Sequence, residues 1–121
     1  MPVIYSDFIE FAKSLTLDNE LSRRSAISRS YYGCYHAAVA FCRFKDISLM
    51  PSNEKGGVHQ KLIAALQANT DEKIRVAGDQ LHRMKLKRSR ADYELEVTVG
   101  EKEATKVIAA CESLVNKFIS I

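Results

Sequence analysis

Apolar residues recur every three or four positions through most of the chain, the period of a helix buried on one side. Ile4, Phe8, Phe11, Ala12 and Leu15 predict a first helix from about Tyr5 to Leu15, with Ser6 as its N-cap and Asp7 in the favourable first turn. Thr16-Leu17-Asp18-Asn19 breaks the pattern, and either Asp18 or Asn19 can cap a long second helix from about Glu20 to Lys45. Val58, Leu62, Ala65 and Leu66 mark a third helix ending near Asn69, with His59 in its first turn. Thr70-Asp71-Glu72 opens a fourth, whose apolar positions are Ile74, Ala77, Leu81 and Met84, weakened slightly by Gly78. Val97-Thr98-Val99 has strand character but is too short for a sheet. Thr98 with Glu101 fits a capping box opening a last helix, with Val107, Cys111, Leu114, Val115 and Phe118 as its core stripe. Between Asp46 and Gly57 the periodicity lapses into Pro, Ser, Asn and Gly. A connection of about a dozen residues is long for a bundle, so it is either a contact loop or a flexible link. The fold class is all-α: an antiparallel, up-and-down bundle of four or five helices, forming one domain over residues 1–121.

The second helix departs from the usual amphipathic pattern. Leu21, Ile27, Tyr31, Cys34, Tyr35, Ala38 and Cys42 form one broad apolar face. The opposite face carries Ser22, Ser25, Ala26, Arg29, Gly33, His36, Ala37 and Ala40 in place of the usual Lys/Glu surface. Small residues invite close approach by another body, and four amphipathic helices already satisfy one core. A homodimer through the Arg29–His36 face is therefore expected. Arg29 and His36 lie seven residues apart, within about 20° around the helix axis. They are the leading functional residues.

Charge adds a second lead. The net charge of +3 says little, but Arg83, Lys85, Lys87, Arg88 and Arg90 crowd into a short run of the fourth helix. Arg83, Lys87 and Arg90 share one stripe, which suits either a nucleic-acid backbone or a solvated surface. The three cysteines fall in apolar helical positions without CxxC spacing. They are expected to be buried thiols in a reducing compartment rather than disulfides or zinc ligands. No metal-ligand motif is present, so neither a metal nor a cofactor is expected. No secretory signal and no apolar span of about 20 residues is evident, so the expectation is a cytoplasmic protein with no membrane partner.

One imidazole beside guanidinium groups suits metal-free cleavage of RNA. The histidine would move protons at the ribose 2′-hydroxyl or the leaving 5′-oxygen, and arginine would hold the phosphate. One chain supplies one such histidine, and two-fold symmetry would bring a second His36 to the same groove. Of the neighbouring tyrosines, Tyr32 is the one whose angle lets it stack on a base. The competing interpretation makes His36 structural and pairs Arg29 with a carboxylate such as Asp92 to tie two helices together.

The run Ser28-Arg29-Ser30-Tyr31-Tyr32-Gly33-Cys34-Tyr35-His36-Ala37-Ala38 resembles the Ser-Arg-x-Tyr-Tyr-x-x-Phe-His-Ala-Ala signature of small HEPN-domain proteins. Arg88-Ser89-Arg90-Ala91-Asp92-Tyr93 is similar to the Arg-x-x-Ala-Asp-Tyr segment those proteins carry late in the bundle. The resemblance implies a commonly dimeric helical domain and metal-independent endoribonuclease activity. It also implies a toxin role, paired with a nucleotidyltransferase antitoxin. It assigns catalysis to Arg29 and His36, with Tyr32, Arg88, Asp92 and Tyr93 in support. The alternatives are a non-catalytic nucleotide- or nucleic-acid-binding module using Arg83, Lys87, Arg88 and Arg90, and an interaction module that meets a nucleotidyltransferase through the small-residue face of the second helix.

Overall fold

A computed structural model describes residues 2–49 and 56–121; half of the candidate contact loop, residues 50–55, lies outside them. Five helices and no strands occur among the described residues: α1 (Tyr5–Ser14), α2 (Glu20–Lys45), α3 (Val58–Gln67), α4 (Glu72–Tyr93) and α5 (Glu101–Ser120). None is long and apolar enough to cross a membrane.

Helix α2 is the hub and packs on each of the other four. Cross-helix pairs give the directions. His36 meets Phe8 and Ala26 clusters with Ala12, while Arg24 and Tyr32 reach Ala91 and Arg88, so α1 and α4 both run antiparallel to α2. Arg90 meets Glu103 and Gln80 meets Lys117, so α5 turns back along α4 and runs parallel to α2. Helices α1, α2, α4 and α5 thus alternate in direction as an all-α bundle. Helix α3 lies antiparallel to α4 through Gln60–Lys85 and Gln67–Asp79, as a short fifth member. The core joins Ile27, Tyr31, Cys34 and Phe41 of α2 to Leu62 and Leu66, Leu81, and Cys111, Leu114 and Phe118 of the other helices. All three cysteines are free and buried.

Helix ends follow local chemistry. Asn19, rather than Asp18, caps α2: its Oδ1 accepts from Ser22 N–H at 2.9 Å. The helix stops at Asp46, which takes the left-handed conformation (φ 57°). Ile47 N–H returns to the Cys42 carbonyl at 2.8 Å. Ser6 does not cap α1. The chain enters the helix two residues earlier than that role requires, with Ile4 at the cap position, and the Asp7 carboxylate accepts Ile4 N–H at 2.9 Å. Nor does Thr98 cap α5, which begins after Gly100; the Thr98 carbonyl accepts from Arg90 instead.

Two features of α2 differ from its sequence pattern. Leu21, placed on the apolar face, is 75% exposed. On the small-residue face, Ala26, Gly33 and Ala37 are buried in the same chain, because α1 seats there. Gly33 is what lets it approach: a Cβ would lie 2.9 Å from Ile9 Cδ1 and 3.2 Å from the Tyr5 carbonyl oxygen. Part of the face expected to await a second body is therefore satisfied by the first helix.

Candidate functional site

With α1 in place, a narrower stripe of α2 stays open, containing Ser25, half-buried Arg29 and Tyr32, and exposed His36 and Ala40. The Arg29 guanidinium lies over the Tyr32 ring, its Cζ 4.8 Å from the centroid. The His36 ring stacks on Phe8 of α1 at 5.2 Å and lies 6.4 Å from the Tyr32 centroid. Among the described residues, neither Arg29 nor His36 has a hydrogen-bond or ion-pair partner. A cation and an imidazole, separated by one aromatic ring, face outward from a rigid helix.

Beneath them lies a polar layer contributed by α4. Arg88 donates to the Tyr32 hydroxyl at 2.7 Å. Its Nε is 3.1 Å from Asp92 Oδ2, close enough for an ion pair though not aligned as a hydrogen bond. Ser28 Oγ donates to the same carboxylate oxygen at 3.2 Å. The guanidinium also sits near the faces of Tyr31, Tyr32 and Tyr93, 5.3–5.9 Å from the ring centroids. Asp92 is thus engaged by Arg88 and Ser28, and the Arg29–Asp92 tie of the competing interpretation does not form. Arg88, paired with Asp92, instead holds the Tyr32 hydroxyl, while Tyr93 is 71% exposed at the edge.

A second histidine joins this cluster from α3. His59 Nδ1 is 2.7 Å from the buried Tyr31 hydroxyl, and its ring stacks on Tyr35 at 3.9 Å. Tyr35 in turn meets His36 edge-on at 5.3 Å. Burial pushes the Tyr31 phenol well above its ordinary value. A buried hydroxyl with one partner satisfies its proton only by donating. Neutral His59 therefore accepts at Nδ1 and carries its proton on Nε2. Burial holds the His59 pKa below the usual imidazole value, and the charges of Arg88, Lys85 and His36 push the same way. Periodicity places His59 only in the first turn of α3; the packing of α3 is what carries it to Tyr31 and Tyr35.

On the other side of Arg29, a cleft of about 700 Å³ opens between α1, α2 and the end of α4. Ser25, Arg29 and Asp92 are among its polar lining, and the exposed side chains of Phe11, Leu21 and Leu95 among its apolar lining. Arg24, which no sequence signal singled out, is 8% exposed at its base. It donates to the carbonyls of Ala91 (2.9 Å), Glu94 (3.1 Å) and Val97 (2.6 Å). Those bonds cap α4 and fix where Arg88 and Asp92 stand.

The basic stripe is rearranged. Arg90 is engaged by Glu103 at 2.9 and 3.3 Å and by the Thr98 carbonyl at 3.2 Å. Arg83 and Lys87 are exposed. They stand apart from the Arg29–His36 stripe, and the structure does not bring the two groups together. No three His, Cys, Asp or Glu side chains converge as metal ligands among the described residues. No protein-family model matches the chain, and no curated protein matches it.

Proposed function

We propose that the chain is a HEPN-like, metal-independent endoribonuclease that works as a homodimer, with Arg29 and His36 as its catalytic residues. The observation that carries this reading is the free outward pair of guanidinium and imidazole on α2, held about one Tyr32 ring by the Arg88–Asp92–Ser28 layer. Nothing in the core needs Arg29 or His36 where they stand. The core histidine role falls to His59.

Symmetry supplies the rest of the chemistry. Tyr32 and Gly33 lie midway between Arg29 and His36. A two-fold axis through that midpoint would set Arg29 opposite His36 of a second copy, twice, in one groove. Ser25 and Ala40 would face each other a turn further out, small enough for close approach. One His36 then takes the proton of a ribose 2′-hydroxyl as its oxygen attacks phosphorus. The P–O5′ bond breaks, and the other His36, protonated, gives its proton to the departing 5′-oxygen. The two Arg29 side chains neutralise the charge gathering on the phosphoryl oxygens. The products are a 2′,3′-cyclic phosphate and a 5′-hydroxyl. Tyr32 offers a ring to an adjacent base. A protein of this kind would act as a toxin restrained by a nucleotidyltransferase antitoxin.

The test is incubation with tRNA and mixed-sequence RNA in EDTA. The wild type is expected to leave 2′,3′-cyclic phosphate ends, and His36→Ala and Arg29→Ala are each expected to be slower by about 100-fold or more. Equal cleavage by all three proteins would overturn the assignment.

A further inference from the structure

A second surface lies on α4 and α5, and no residue of α2 lines it. A groove of about 460 Å³ runs between the two helices, floored by Met84 and Val107 and walled by Lys87, Lys102 and Lys106. Arg83 stands one turn before Lys87 on α4, and Lys102 and Lys106 are one turn apart on α5. All four cations are exposed, and none has an ion-pair or hydrogen-bond partner among the described residues. The carboxylate lining the groove, Glu103, is bonded twice by Arg90, so its charge is already balanced. The sequence stripe of Arg83, Lys87 and Arg90 is thus replaced by a two-helix arrangement. Arg90 is consumed in neutralising the acid, and Lys102 and Lys106 come in from α5.

Three like charges in one groove, with Arg83 a turn beyond them, repel one another and have no ion-pair or hydrogen-bond partner among the described residues, which marks the surface as one for an external polyanion. Each helix spaces its two cations by one turn, about 5.4 Å along the axis, comparable to the separation of successive phosphates in a nucleic-acid backbone. No aromatic side chain lines the groove, so nothing there reads or stacks a base. Nor does it offer the exposed aromatic anchors that dominate protein interfaces.

We infer that the α4–α5 groove, through Arg83, Lys87, Lys102 and Lys106, binds the phosphodiester backbone of a nucleic acid independently of sequence. This binding stands whether or not the α2 face cleaves RNA. It would hold a long chain on the protein while another segment is free to reach other surfaces.

The experiment measures fluorescence anisotropy of labelled U20 and dT20 across a salt series, with every protein carrying His36→Ala so that no probe is consumed. The groove variant is K87E/K102E. The control, K45E/K73E, makes the same change in net charge at exposed lysines that do not line the groove. The groove variant is expected to bind at least tenfold more weakly than the parent. Its slope of log K against log salt should be shallower by about 1.4, the loss of two phosphate contacts on a single strand. The control should bind within about threefold of the parent, as expected of charges that touch no phosphate. K87Q/K102Q, with circular dichroism on every variant, keeps the result readable should charge reversal disturb folding. Equal weakening by groove and control variants would overturn the inference. So would polyglutamate competing as well as U20, or a preference above tenfold between U20 and dT20.

Discussion

Arg24 shows how one side chain fixes a site it does not touch. Its guanidinium gathers carbonyls from the last turn of α4 and from the connection beyond, groups that the helix leaves unpaired. Arg24→Met would leave them without donors, the Ala91 carbonyl in a buried position, and is expected to cost about 3 kcal/mol, read as a lower urea midpoint. Arg24→Lys should recover little, because one ammonium cannot span carbonyls in three directions. His59 makes a prediction of opposite character. The folded state holds its pKa below the ordinary 6.5, so the unfolded chain binds the proton more readily. Stability is therefore complete above pH 6.5 and is lost as the pH falls through the folded value. The carboxylates with shifted values, Glu20 and Glu103, are lowered from 4.5, so their losses come in more acid solution. Urea unfolding between pH 7 and 5 should show a decline in the wild type that His59→Gln flattens. An unchanged slope would mean that His59 titrates alike folded and unfolded.

At the scale of elements, close approach is bought by two glycines, and only one has a predictable sign. A Cβ at Gly78 would lie 2.9 Å from Leu66 Cβ and 3.0 Å from the Gln67 backbone nitrogen, so α3 itself must move. That overpacking, about 1–3 kcal/mol, opposes a helix-propensity gain of about 1 kcal/mol. Gly78→Ala is expected to destabilise despite its better propensity, and a higher melting temperature would contradict the packing. The helices themselves were legible from sequence because each carries a strong apolar period. The limits of α2 came through with them, since Asn19 and Asp46 mark its ends by chemistry that acts within a few residues. The caps of α1 and α5 were not legible. Ser6 and Thr98 are good capping residues that lie two positions from the caps the chain uses, Ile4 and Gly100, and only tertiary packing decides the register. The site was half legible. Arg29, Tyr32 and His36 share one helix, so 100° spacing places them together. The reach of Ser28 to Asp92, the arrival of His59 and the neutralisation of Arg90 by Glu103 depend on contacts between elements that no periodicity encodes. The seating of α1 on Gly33 belongs to the same class, and it narrows the open face of α2 to the Arg29–His36 stripe.

For the whole molecule, the central claim is that two copies complete one ribonuclease groove about the Arg29–His36 stripe. Light scattering at micromolar concentration is expected to give the mass of a dimer, and Ala40→Arg, which sets a long cation where Ser25 of a second copy would approach, should shift it toward the monomer. The most direct measurement mixes wild type with His36→Ala in varying proportion, allows subunits to exchange, and follows RNA cleavage in EDTA. If one groove needs both imidazoles as acid and base, activity should fall as the square of the wild-type fraction, because mixed dimers are nearly inactive. A straight-line fall would show that each chain cleaves alone, and no cleavage by the undiluted wild type would remove the ribonuclease reading altogether.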